Sequence, residues 1–167
     1  MRTTMGTVRI EGGVLAEMYA RYAPEALRLA YLLTGDATLA EDLAHDAFVR
    51  VAGRLLHLRD PAGFQAYLRT TILNLARSHF RRRAVERKFA ERQSGPRPVA
   101  PADLSDRDEM RTALLTLPVR QRTAIVLRYY EDLSEEQTAR VMRCRPQAVK
   151  SLVSRAMTSL RRSIGDA

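Results

Sequence analysis

Asp42 and Asp46 stand one helical turn apart in the segment AEDLAHDAF, a spacing that puts two carboxylates on one face of a helix. Such a pair could serve acid–base chemistry or help to hold a metal ion. The other ligands do not follow. His45, His57 and His79 keep no metal-ligand spacing, and His79 falls in an arginine-rich stretch. Cys144 is the single cysteine, which excludes an internal disulfide and any Cys-rich zinc site, and it has no histidine close in sequence to activate it. Gly12-Gly13 is an isolated pair rather than a phosphate-cradling loop. The two aspartates therefore read as a solvated acidic face, and neither catalysis nor a cofactor or metal is expected.

A second constellation points to binding. SEEQTARVM begins at Ser134 as a short amphipathic helix, a tight turn follows at Arg143 to Arg145, and PQAVKSLVSRAMTSLRR continues as a longer helix. Ala139 allows the two helices to cross closely, and Val149 packs back from the second. This is helix-turn-helix grammar, in which the second helix enters the major groove. Gln147, Lys150, Ser151, Ser154 and Arg155 line its polar face, and Arg161 and Arg162 extend beyond it. The same spacing would also fit a plain helical hairpin with a polar outer face.

The elements that must position these residues are helical throughout. Leu15, Met18, Tyr22, Ala26, Leu29 and Leu33 recur at spacings of three and four. Gly35 stops that helix and Asp36 is placed to cap the next, whose stripe is Ala40, Leu43, Ala47, Val51 and Leu55. Asp60-Pro61 reads as the start of a third helix with an inward face of Phe64, Leu68, Ile72 and Leu75. QSGPRPVAPADL, with three prolines and a glycine, breaks the pattern as a linker does. Helical signals resume with a capping box at Ser105 and Asp108, then a helix from Pro118 to Tyr130, a second capping box at Ser134 and Gln137, and a last helix from Pro146. The sequence thus predicts an all-α chain of two small helical domains: a disordered 1–13, a bundle over 14–85, a Pro-rich linker over 86–104 and a four-helix domain over 105–167.

Charge distribution suits a nucleic-acid partner and, equally, a merely solvated basic face, and an arginine bias fits a GC-rich genome as well. The chain of 167 residues carries a net +9, but residues 1–60 are near neutral, while residues 61–100 hold 9 basic side chains against 2 acidic ones. Arginine, the better fork for phosphate and base edges, makes up all but two of the basic residues, Lys88 and Lys150. The longest apolar runs fall well short of the roughly 18 residues that would span a bilayer, and MRTTMGTVRIEGG has no apolar core of a secretion signal. A cytoplasmic protein without membrane insertion is expected.

The residues also carry a resemblance. LPVRQRTAIVLRYYEDLSEEQTARVMRCRPQAVKSLVSRAMTSLRR resembles the −35-reading region 4 of extracytoplasmic-function (ECF, or group IV) sigma factors of the sigma-70 family. YARYAPEALRLAYLLTGDATLAEDLAHDAFVRVAGRL and DPAGFQAYLRTTILNLARSHFRRR are similar to the successive parts of region 2. The resemblance implies a promoter-specificity subunit that binds core RNA polymerase through the β′ clamp helices and the β flap. It would read −35 promoter DNA with the second domain and recognise and melt −10 with the first. Position by position, Asp42, Asp46 and Phe48 fall in the clamp-docking motif. Asn74 aligns with an asparagine near the pocket for a flipped −10 base, with Arg59 and Asp60 in the pocket's wall and Arg69, Arg77, Arg81 and Arg82 on the strand's backbone. Lys150, Ser151 and Arg155 match the recognition-helix motif. Departures are His45 for Gln, Asp46 for Glu, Ala52-Gly53 for a Trp-containing stretch, Arg145 for a small N-cap, and Leu152 for Arg. The family makes an anti-sigma partner plausible. Two rival readings are a stand-alone helix-turn-helix regulator, which leaves the Asp42–Phe48 and Asn74 segments without a task, and a metal-dependent hydrolase built on Asp42 and Asp46.

Overall fold

A computed structural model describes residues 4–54, 61–92 and 106–165. Arg59 and Asp60, the proposed pocket wall, lie outside the described residues, as do Leu55 and Ser105 of the expected helix signals. Among the described residues the secondary structure is helical and there is no strand. The order is α1 (Thr4–Thr34), α2 (Ala37–Ala52), α3 (Pro61–Glu91), α4 (Asp106–Thr116), α5 (Val119–Ile125, continued by a π-helical turn, Val126–Tyr130), α6 (Glu135–Met142) and α7 (Pro146–Gly165). Two compact units result. One comprises residues 1–31 and 36–77, the other residues 32–35 and 78–167.

The helix boundaries follow local chemistry. Gly35 ends α1 with φ +70°, where a Cβ would also run into the Leu115 side chain, so only glycine fits without displacement. Asp36 then caps α2, its carboxylate accepting from the Leu39 amide at 3.0 Å. Two boundaries differ from expectation. Residues 4–13, expected to be disordered, form the first turns of α1. No proline or cap separates them from Leu15, and each residue added to a formed helix gains a hydrogen bond. α3 likewise runs to Glu91, so residues 86–91 of the expected linker continue it as helix. An i,i+4 ion pair between Arg87 and Glu91 at 3.9 Å suits that exposed extension.

The first unit buries one face from each of its helices. Tyr22, Ala26 and Leu29 of α1 meet Ala40, Leu43, Ala47, Phe48 and Val51 of α2 and Phe64, Leu68 and Ile72 of α3 as the core. An aromatic cluster sits at its centre, with ring centroids 5.2 Å apart for Tyr22–Phe64 and 6.1 Å for Phe48–Phe64. On α3 the expected Leu75 is only half-buried, and Leu73 and Ala76 are buried instead. A helix that buries Phe64, Leu68 and Ile72 turns Ala76 inward at the next i,i+4 step, one place past Leu75.

In the second unit Ala113, Leu114 and Leu117 pack on Ile125, Ala156 and Leu160, with Leu32, Val153 and Met157 at the margin. Arg122 is the exception inside this apolar set. It is 7% exposed, and its guanidinium donates to the backbone carbonyls of Leu33 (2.6 Å), Leu115 (3.2 Å) and Leu117 (3.2 Å) over the ring of Phe80. Burial pulls its pKa down from the ordinary arginine value. Its task is to satisfy carbonyls at the ends of α1 and α4 that have no helical partner.

Candidate nucleic-acid interface

The α6–α7 pair is set at three points. A reciprocal capping box starts α6: the Ser134 hydroxyl accepts from the Gln137 amide at 3.1 Å, and the Gln137 side-chain oxygen accepts from the Ser134 amide at 2.8 Å. Arg143 then closes α6 in the left-handed conformation, φ 53° and ψ 51°, with the Cys144 amide donating to the Ala139 carbonyl at 3.0 Å. Pro146 opens α7, whose first amides bond back to the Arg145 carbonyl. Ala139 and Val149 are both buried, as helix crossing requires.

With Val149, Ala156 and Leu160 turned inward, the opposite face of α7 is fixed. Gln147, Lys150, Ser154 and Arg155 are exposed and Ser151 is half-buried, so all five residues singled out on the sequence stand together on one polar face. Ser151 spends its hydroxyl on the Gln147 carbonyl at 3.1 Å. Lys150 pairs with Glu135 at 3.7 Å. Leu152 is half-buried. Arg140, Arg143 and Arg145 are exposed around the turn beside Cys144. These three arginines were missed as candidates, although the run ARVMRCR announces them. Glu136 lies in the first turn of α6, at the end away from the Arg143 to Arg145 turn. Its own amide and the Ser134 hydroxyl bond to its carboxylate and hold it below the usual carboxylate range, with Arg140 and Arg128 adding to the effect.

A different surface of this unit is apolar. An open groove of about 500 Å³ is lined by Met110, Ile125, Tyr129, Tyr130, Met157 and Ile164, among others. Tyr129 is 60% exposed. Both tyrosines belong to the π-helical turn, an insertion-like irregularity that often marks functional sites. The adjacent Tyr129-Tyr130 is visible in the sequence as a pair of large aromatics.

α3 carries the rest of the cationic set. At about 100° per residue, Asn74, Arg77 and Arg81 share one stripe, whereas Arg69 and Arg82 fall on opposite flanks of it. Asn74 and Arg69 are half-buried, and Arg77, Arg81 and Arg82 are exposed. The helix therefore brings together three of the five expected residues, not all five.

α2 requires a correction. Asp42 and Asp46 are exposed on one face as expected, but Phe48 is 4% exposed and stacks on Tyr19 at 4.9 Å and on Phe64. It belongs to the core, because a residue six positions after Asp42 turns about a third of a circle away from it. The apolar residue beside the acidic face is Val49, 60% exposed and one turn beyond Asp46. Phe48 seats α2 in the core.

Two family models match the chain, "Sigma-70 region 2" over residues 18–85 and "Sigma-70, region 4" over residues 107–160. The RNA polymerase sigma-E factor of Streptomyces coelicolor is 33% identical over 150 residues, 89% of this chain and 85% of that protein. The chain belongs to the sigma-70 family, in its extracytoplasmic-function group. The ECF sigma factor EcfG of Rhodopseudomonas palustris is 30% identical, covering 82% of this chain and 77% of that protein. A solved structure of the sigma factor RpoE with the anti-sigma factor NepR, from Bartonella quintana, superposes with a TM-score of 0.74 at 25% identity, covering 90% of this chain and 96% of that one.

This sigma factor is a promoter-directing initiation factor that works with core RNA polymerase and promoter DNA. The stand-alone regulator loses to it, because such a protein has no use for a region 2 spanning residues 18–85. The relatives are sigma factors, which are not enzymes. No helix among the described residues is long and apolar enough to cross a membrane.

Proposed function

We propose that region 4 reads the −35 duplex with Gln147, Lys150, Ser151, Ser154 and Arg155 of α7, and that region 2 captures the melted −10 strand on α3. The observation that carries this is the five-residue polar face of α7, set by a capped, left-handed turn against a buried Val149. Lysine and arginine there suit guanine O6 and N7, and the serines suit either base edges or phosphate. Arg140, Arg143 and Arg145 hold the flanking phosphates, which fixes the register of α7 without reading sequence. On α3, Asn74 pairs with a flipped base, Arg77 and Arg81 grip the strand beyond it, and Arg69 and Arg82 touch it from the flanks. Arg59 and Asp60 complete the pocket.

Polymerase docking falls to two other surfaces. Asp42 and Asp46, with Val49 beside them, suit the basic side of a β′ clamp helix. The apolar groove at Tyr129 and Tyr130 suits the β flap, since amphipathic helices dock in such grooves and no residue of the 147–155 face lines it. The functional domains are residues 14–85 and 105–167, joined through the end of α3 and residues 92–104. The protein catalyses nothing itself and acts in the cytoplasm, where the polymerase works. Because RpoE of Bartonella is found with NepR, an anti-sigma partner is proposed here too. Transcription in vitro with core polymerase across a genomic promoter library tests the reading. Start sites sharing one −35 and one −10 element are expected. Core enzyme that gains no promoter preference on adding the protein would contradict it.

A further inference from the structure

Lys150 does not stand alone on the recognition helix. Its ammonium lies 3.7 Å from the carboxylate of Glu135, the first residue of α6, while half of the lysine side chain remains open to solvent. The carboxylate is mounted on a fixed base. The reciprocal Ser134–Gln137 capping box holds the backbone on which Glu135 sits, and the buried Ala139 and Val149 hold that helix to α7. At 3.7 Å the contact is an ion pair rather than a hydrogen bond, so the three N–H donors of the ammonium stay available.

A lysine at a DNA interface ordinarily swings on its four-carbon stem to the nearest phosphate, because phosphate attraction dominates affinity and carries no sequence information. A carboxylate beside it changes that competition. It opposes the approach of phosphate to the same spot and draws the ammonium back over the helix. An uncharged but acceptor-rich base edge, such as guanine N7 and O6, meets much less opposition. We propose that Glu135 is a positioning residue for specificity: it withholds Lys150 from the phosphates and directs its amine to a guanine edge in the major groove. This rests on the reading of α7 as the −35 helix.

An exposed ion pair contributes little to folding, so function and stability separate in the variants. The test uses the full chain bound to core polymerase, and as its probe a pool of duplexes randomised over the upstream element. The readouts are the bases enriched, the salt dependence of binding to the unselected pool, and the thermal midpoint of the protein. Glu135→Gln should release Lys150 to phosphate. The preference at one position flattens, the logarithmic salt slope steepens by about 0.9, and the loss of affinity between about 50 and 200 mM salt grows roughly 3.5-fold. The thermal midpoint stays where it is. Lys150→Ala should flatten the same position without steepening the slope, and the double variant should match it. If Lys150→Ala flattens a position while Glu135→Gln keeps the wild-type preference and slope, Glu135 positions nothing and the inference falls alone. If Lys150→Ala leaves every preference intact, the reading of Lys150 on α7 falls and takes the inference with it.

Discussion

The two units present their working residues by different means. In region 4 the polar face of α7 is aimed by backbone devices: a capping box, a left-handed residue at Arg143 and a proline at the helix start. In region 2 the faces of α2 and α3 are aimed by packing, through the cluster of Tyr22, Phe48 and Phe64 and the small residues around it. Devices of the first kind are written as short local strings. Packing of the second kind fixes only which way a helix is rotated, and a working residue is whatever happens to stand on the far side. Region 4 should therefore be sensitive at its turn, and region 2 at its core.

The two faces of α2 give the largest expected effects. Asp42→Arg with Asp46→Arg places like charges against a basic partner, which costs several kcal/mol, on the order of a hundredfold or more in affinity. Co-purification with core polymerase should be lost while the circular-dichroism melt is unchanged. Phe48→Ala should do the reverse first, lowering stability by about 3–5 kcal/mol. Val49→Ser should weaken polymerase binding with little change in the melt. A Phe48→Ala protein that melts normally but fails to bind would restore Phe48 as a direct contact.

Region 4 offers the next test. Arg122→Met keeps the length and most of the apolar stem but leaves the carbonyls of Leu33, Leu115 and Leu117 without their donor. Unsatisfied buried groups of this kind cost about 1–3 kcal/mol each, offset in part by no longer burying a charge, so a net loss of roughly 2–4 kcal/mol is expected in urea unfolding. An unchanged midpoint would show that water reaches those carbonyls.

The smallest effect is a gain. A non-glycine residue in the left-handed region costs roughly 1–2 kcal/mol, and Arg143 sits there at φ 53°. Arg143→Gly should raise the stability of region 4 by up to about 1 kcal/mol and make the salt slope of DNA binding shallower by about one unit if the arginine holds a phosphate. A destabilised variant would mean that the Arg143 side chain contributes packing that outweighs the strain.

Much of this was legible beforehand, for reasons that follow the same division. The Ser134–Gln137 box, the Gly35 stop, the Asp36 cap and the Pro146 start are set by neighbours within four residues, and each is found where the string places it. The polar face of α7 followed from its apolar face alone. What was not legible depends on phase and partners. Phe48 looks like an anchor in AEDLAHDAF, yet its rotation about the helix puts it in the core and leaves Val49 outside. Leu75 failed similarly, one place out of phase. The π turn at Val126–Tyr130 and the buried Arg122 have no local signature, since long-range packing decides them.

The central claim is that the two units read two separate promoter elements. It is tested most directly by run-off transcription with core polymerase on one selected promoter and on versions altered singly at −10 or at −35. Asn74→Ala should lose the distinction between the parent and the −10 variants yet keep that at −35. Lys150→Ala with Arg155→Ala should do the opposite, each at a cost of about 1–3 kcal/mol in discrimination. If either variant loses both distinctions, or neither does, the assignment of one element to each unit is wrong.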